Sequence, residues 1–187
     1  MKRIAIFASG SGSNAENIYN YFQKNENIAV SLILTNNPKA GVIERAKRLN
    51  IPYIVFYRKE FYVTDKIIDA LLKKEIDFIV LAGFLWLLPS SLLEAFPNKI
   101  INIHPALLPK FGGKGMYGQH VHKAVSAAKE IKTGITIHYV NEQYDEGAVI
   151  FQKAIGIEKG EEPASIAAKI HALEYEFFPK VIEELLS

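Results

Sequence analysis

The 187-residue chain carries 22 Lys and Arg against 20 Asp and Glu, a formal charge of +2. That balance excludes the strong basic surplus of a dedicated nucleic-acid binder, and a hydrophobic content of 49% excludes a disordered chain. With no cysteine, disulfides, thiolate catalysis and cysteine-bound zinc are excluded as well.

The length suits one domain, residues 1–187, with a substantial core. The apolar run after Met1-Lys2-Arg3 is too short for a signal peptide, and no apolar stretch reaches membrane-spanning length. A cytoplasmic protein without a membrane partner is expected.

Arg3 to Ala8 reads as a buried strand, apolar without alternation. Ser9-Gly10-Ser11-Gly12-Ser13-Asn14 follows, and then Ala15, Ile18, Tyr19 and Phe22 recur at helical spacing. Ile28 to Thr35 is a second strand. Val42, Ala46 and Leu49 mark a helix, and Tyr53 to Phe56 a brief third strand. Ile67, Ile68, Leu71 and Leu72 mark another helix. Phe78 to Ala82 is a buried strand that breaks at Gly83, and Leu92, Leu93 and Phe96 suggest a short helix. Lys99 to Ile103 is a strand that stops at Pro105, which cannot donate to a ladder.

Beyond it, Lys110 to Gly118 carries Gly112, Gly113, Gly115 and Gly118, which predicts a mobile loop. Val121, Ala124, Val125 and Ala128 form a helix face. Gly134 to Val140 and Ala148 to Ile155 read as strands joined by a short polar connection, which suits antiparallel pairing. The last helix starts near Pro163, with Ile166, Ile170, Leu173 and Phe177 on one face, and Pro179 should kink or interrupt it. The pattern predicts a single-domain, three-layer, Rossmann-like α/β fold. Its sheet is mostly parallel, with right-handed crossovers and an antiparallel portion near the C-terminal strands.

Candidate chemistry gathers at strand ends. Asn102 and His104 share one strand face, opposite Ile101 and Ile103. His104 sits at the carboxyl end, where open α/β sheets bind ligands. The Ser9–Asn14 turn opens a helix whose unpaired N–H groups and dipole favour an anion. Ser13 and Glu16 also match a capping box that would satisfy those groups internally, so a phosphate site and a plain cap both stand. Ala15 replaces the third glycine of the dinucleotide fingerprint, and Thr35-Asn36-Asn37 stands where a ribose-binding acid would, which argues against a nicotinamide site.

Asp145 is either an ordinary loop carboxylate or, if its loop folds over the strand ends, the neighbour of His104. In that position it would raise the imidazole pKa and keep the ring protonated near neutral pH. Glu174 flanks the apolar face of the last helix, as a boundary residue reaching solvent or as an acceptor for a ligand amine or hydroxyl. Leu81 to Leu88 is an apolar loop around Trp86. It is core packing or a flat slot for an aromatic ligand, with backbone groups of Leu85, Trp86, Leu87 and Leu88 supplying hydrogen bonds. His120 and His122 lack the four-residue spacing of a helical metal pair, and no metal site is expected from them or His138.

Taken together, Ser9-Gly-Ser-Gly-Ser-Asn14, Leu81-Ala-Gly-Phe84, Ile101-Asn-Ile-His-Pro-Ala-Leu-Leu-Pro109 and Tyr144-Asp-Glu-Gly147 occur in a telling order and spacing. Over its whole length the chain resembles the folate-dependent glycinamide ribonucleotide formyltransferases, within the formyltransferase superfamily. The resemblance implies transfer of a formyl group from 10-formyltetrahydrofolate to the amine of 5-phosphoribosyl-glycinamide in purine synthesis. It implies small-molecule substrates, no nucleic acid and no metal, in a monomer or homodimer. By resemblance, Asn102, His104 and Asp145 match the catalytic trio, and Gly12, Ser13 and Asn14 the phosphate loop. Glu174 matches a contact to the glycinamide substrate. Arg58, Leu85, Trp86, Leu87, Leu88, Asn102 and the loop Val140, Asn141, Glu142 to Asp145 match the folate pocket. Amine attack on a formamide creates a tetrahedral carbon bearing an oxyanion, which Asn102 and a protonated His104 coupled to Asp145 are suited to stabilise.

Overall fold

Ile4-Ala5-Ile6-Phe7 is apolar at every position, so both faces of its strand need cover. A computed structural model describing residues 1–187 provides it. The strands are β1 (Lys2–Phe7), β2 (Ile28–Thr35), β3 (Tyr53–Val55), β4 (Phe78–Leu81), β5 (Ile100–His104), β6 (Lys132–Tyr139) and β7 (Val149–Gly156). They form one seven-stranded sheet in the order β3-β2-β1-β4-β5-β6-β7. The pairs from β3 to β5 are parallel, and β5–β6 and β6–β7 are antiparallel. Strand boundaries lie within two residues of those predicted.

The helices are α1 (Ser13–Phe22), α2 (Val42–Arg48), α3 (Arg58–Tyr62), α4 (Lys66–Lys73), α5 (Ser90–Ala95), α6 (Gln119–Ala127) and α7 (Pro163–Leu186). Ile4 and Ile6 face a core layer shared with Ile18, Val42, Val121 and Ile170, from α1, α2, α6 and α7. Ala5 and Phe7 face the opposite layer, with Phe61, Leu71 and Leu92 from α3, α4 and α5. Residues 110–118 form no regular element.

One element was not foreseen, and one local expectation is corrected. The short helix α3 was not predicted, because Phe61 is its one buried residue and leaves no apolar periodicity. Nor does Pro179 interrupt α7, which runs unbroken from Pro163 to Leu186. A proline cannot bond the carbonyl four residues before it, here Tyr175. The Asn17 side-chain amide of α1 donates to that carbonyl at 2.9 Å, so the freed acceptor is satisfied from a neighbouring helix.

Candidate active site

Strand order reverses between β1 and β4, and in such sheets the crevice at the carboxyl ends receives ligands. A cavity of about 630 Å³ opens there. The loops after β1 and β4 are tied together: Ser9 N–H donates to the Gly83 carbonyl at 3.0 Å, and Leu85 N–H donates to Ser9 Oγ at 3.1 Å. Of the residues singled out from sequence, Gly12, Ser13, Asn14, Leu85, Trp86, Leu87, Leu88, Asn102, His104, Val140, Asp145 and Glu174 line this cavity. Arg58, Asn141 and Glu142 do not.

The 141–147 connection does fold back over the strand ends. Gly147 makes this possible, since a Cβ there would lie 1.7 Å from the Tyr139 carbonyl oxygen. Asp145 adopts φ +58°, a left-handed conformation that Asp tolerates better than most residues. Its Oδ2 reaches to 3.5 Å from His104 Nδ1 and accepts from Gly113 N–H at 2.9 Å.

His104 is buried, and its Nε2 lies 2.8 Å from the Phe111 carbonyl. That oxygen only accepts, so Nε2 carries the proton and Nδ1 is the atom facing Asp145. Burial pushes the His104 pKa below its ordinary value; the Asp145 charge and the Phe111 carbonyl offset part of this. The expected resting imidazolium is therefore corrected: desolvation outweighs the carboxylate. Burial would raise the Asp145 carboxyl, but His138, His104 and the Gly113 N–H hold it below its ordinary range.

The role of His138 was missed. It stands opposite Asn102 in the β5–β6 register. Its Nδ1 donates to the Tyr139 carbonyl at 2.8 Å, which leaves Nε2 between Asn102 Nδ2 at 3.1 Å and Asp145 Oδ1 at 3.6 Å; the neutral ring accepts there from the amide, and the imidazolium donates there to the carboxylate. The residue type was visible in sequence, but the register that makes it Asn102's partner was not.

At one end of the cavity, α1 starts on Gly12 as N-cap, at φ +75°, with no side-chain cap. A Cβ on Gly12 would lie 2.4 Å from Val42 Cγ2. The capping box does not form: the helix begins one residue too early for it, and Glu16 instead pairs with Arg45 and Arg48 of α2. The first α-helical bond is Glu16 N–H to the Gly12 carbonyl, leaving the Ser13, Asn14 and Ala15 N–H groups without an acceptor in the chain.

Glu174 is buried rather than solvent-reaching, and its Oε2 accepts from Asn14 Nδ2 at 2.9 Å and lies 3.0 Å from His171 Nδ1. Hydrogen bonding to Glu174 raises the His171 pKa, whereas burial and then the His171 charge lower that of His122. Both histidines line the cavity and were not singled out as site residues. The three-residue step from His171 to Glu174 on one helix was the available signal.

At the other end, Leu85 to Leu88 and Val140 make an apolar wall. Of the loop expected there, Val140, Gln143, Tyr144 and Asp145 line the cavity, and Asn141 and Glu142 do not. Asn141 and Glu142 are exposed, and Asn141 Oδ1 accepts from Gln143 N–H at 3.0 Å. Arg58 lies behind the wall, its guanidinium 5.1 Å from the Trp86 ring centroid and 5.9 Å from that of Tyr62. Tyr62 in turn donates to the Leu87 carbonyl at 2.9 Å.

The pattern of the formyl transferase family matches residues 2–182, and the chain belongs to that family. The similar proteins are more particular. Phosphoribosylglycinamide formyltransferase of Bacillus subtilis (strain 168) is 41% identical over 191 residues, covering 100% of this chain and 95% of that protein. The chloroplastic phosphoribosylglycinamide formyltransferase of Arabidopsis thaliana is 40% identical over 97% of this chain, which spans 64% of that relative's length. The crystal structure of glycinamide ribonucleotide transformylase 1 from Geobacillus kaustophilus superimposes with a TM-score of 0.90 at 39% identity, over 100% of both chains. The chain is an enzyme of this formyl-transferring group.

Proposed function

We propose that the enzyme moves the formyl group of 10-formyltetrahydrofolate to the amine of 5-phosphoribosyl-glycinamide, in purine biosynthesis. One observation carries the reading. Asn102, His104 and Asp145 line the same cavity as an anion-ready helix start and an apolar wall. The names of the relatives support it.

The Ser13, Asn14 and Ala15 N–H groups suit the acceptor's phosphate, and Glu174 suits one of its amine or hydroxyl groups. Leu85 to Leu88 and Val140 suit the folate ring system, whose N-formyl carbon is the electrophile. Asn102 Nδ2 spends one N–H on His138 and keeps a second for the carbonyl oxygen as it turns negative. A donor of that kind is worth about 3 kcal/mol of barrier.

The neutral His104 ring presents the Nδ1 lone pair, takes the proton lost by the attacking amine, and returns it to the departing folate nitrogen. Asp145 stabilises the imidazolium in between. One C–N bond forms as another breaks, the proton passes through His104, and nothing is oxidised or reduced.

Incubating the protein with 10-formyltetrahydrofolate and 5-phosphoribosyl-glycinamide tests the proposal, by detection of the formylated product. Turnover of another amine in place of this one overturns the acceptor assignment.

A further inference from the structure

Glu16 stands in the first turn of α1, one position beyond the residue whose carboxylate would close a capping box, and its side chain is paired away from the helix start. Its side chain is 16% exposed and pairs with both Arg45 and Arg48. Arg45 also donates from Nε to the Ser11 carbonyl at 2.8 Å. The glycine loop is held from the same side by Val42 N–H on the Gly10 carbonyl at 3.1 Å, and by Gly12 against the Val42 side chain. So α2 fixes the loop, and its arginines keep a carboxylate from the open N–H groups of Ser13, Asn14 and Ala15.

From this geometry we infer that Arg45, backed by Arg48, is a positioning residue for the phosphate of the acceptor. It sequesters Glu16 and clamps Ser11 so that the first turn of α1 stays open to an anion. The inference rests on the acceptor reading above. A carboxylate released beside this open turn would repel a phosphate seated on it and compete with it for the positive end of the helix dipole. Arg suits the task because its planar group serves the Ser11 carbonyl and the Glu16 carboxylate at once, which an ammonium does less well.

Arg45→Met in the full chain tests this by steady-state kinetics with each substrate varied in turn. The acceptor KM is expected to rise about tenfold, while kcat and the donor KM change less than about twofold. Adding Glu16→Gln to Arg45→Met removes the freed charge and should recover most of the acceptor KM, although it restores no contact. A double variant as impaired as the single one overturns the inference, as does an unchanged acceptor KM in Arg45→Met. If Arg45→Met fails to fold, Arg45→Lys is expected to raise the acceptor KM about threefold, and no change there overturns it too. A wild-type protein that ignores the phosphoribosyl amine defeats the proposed function instead. Calorimetric titration with inorganic phosphate then reports on the clamp alone: weaker binding by Arg45→Met is expected, and equal binding overturns it.

Discussion

Asn102 and His138 face each other across β5 and β6, amide nitrogen to ring nitrogen at 3.1 Å. Because His138 Nδ1–H donates to the Tyr139 carbonyl, the ring fixes which end of the Asn102 amide points where. Without His138 the amide is free to turn. His138→Ala is expected to lower kcat about tenfold, the value of one net hydrogen bond, with smaller changes in either KM. Asn102→Ala removes the donor itself and should lower kcat roughly 10²–10³-fold. Steady-state kinetics on both variants decide whether the losses rank this way.

Asp145→Asn removes the charge that partly offsets burial at His104. The imidazole pKa should therefore fall further below 6.5, and kcat should drop roughly 10²–10⁴-fold. An NMR titration of the ring reads the first effect, and an unchanged pKa would contradict the coupling. The same burial has a consequence for stability. Below 6.5 the unfolded chain takes up the proton that the folded ring resists. The stability contribution of His104 is full above that pH and declines as pH falls from it.

Glu174→Gln should lower the His171 pKa, since the hydrogen bond to the carboxylate is what raises it. Here the linkage has the opposite sign. The His171 contribution is complete below 6.5 and is lost as pH rises through the elevated folded value. Denaturant unfolding across that range should find the pH dependence reduced in Glu174→Gln, and the acceptor KM should increase.

Gly147→Ala places a Cβ 1.7 Å from the Tyr139 carbonyl oxygen, in a backbone that has no flexible side chain to move aside. A loss of about 1–3 kcal/mol in urea unfolding is expected, together with reduced kcat as Asp145 is displaced. Full activity at wild-type stability would mean that the loop reaches His104 by another route.

The β5 end was legible because strand alternation and Pro105 act locally. They placed Asn102 and His104 on one face and stopped the strand beside them. What sequence alone could not supply was set by distant partners. Ser13 and Glu16 matched a local capping signal, but the helix starts on Gly12, out of register with it, and Glu16 pairs with Arg45 and Arg48 across the α1–α2 contact. Pro179 carried a helix-breaking signal, which Asn17 cancelled by meeting the freed carbonyl of Tyr175, 158 residues away from it in sequence. For His104, the pairing with Asp145 was foreseen but not the burial that reverses the net shift, because desolvation depends on everything packed around the ring.

Asn14 is synthesised early and Glu174 late, yet in the fold they share a hydrogen bond of 2.9 Å. A nascent chain therefore carries its glycine loop long before the helix that completes that end of the cavity exists. A ligand that spans Asn14 and Glu174, as the proposed acceptor would, can hold only molecules in which α1 and α7 have already met. It thus selects finished chains from partly folded ones and has little hold on the latter.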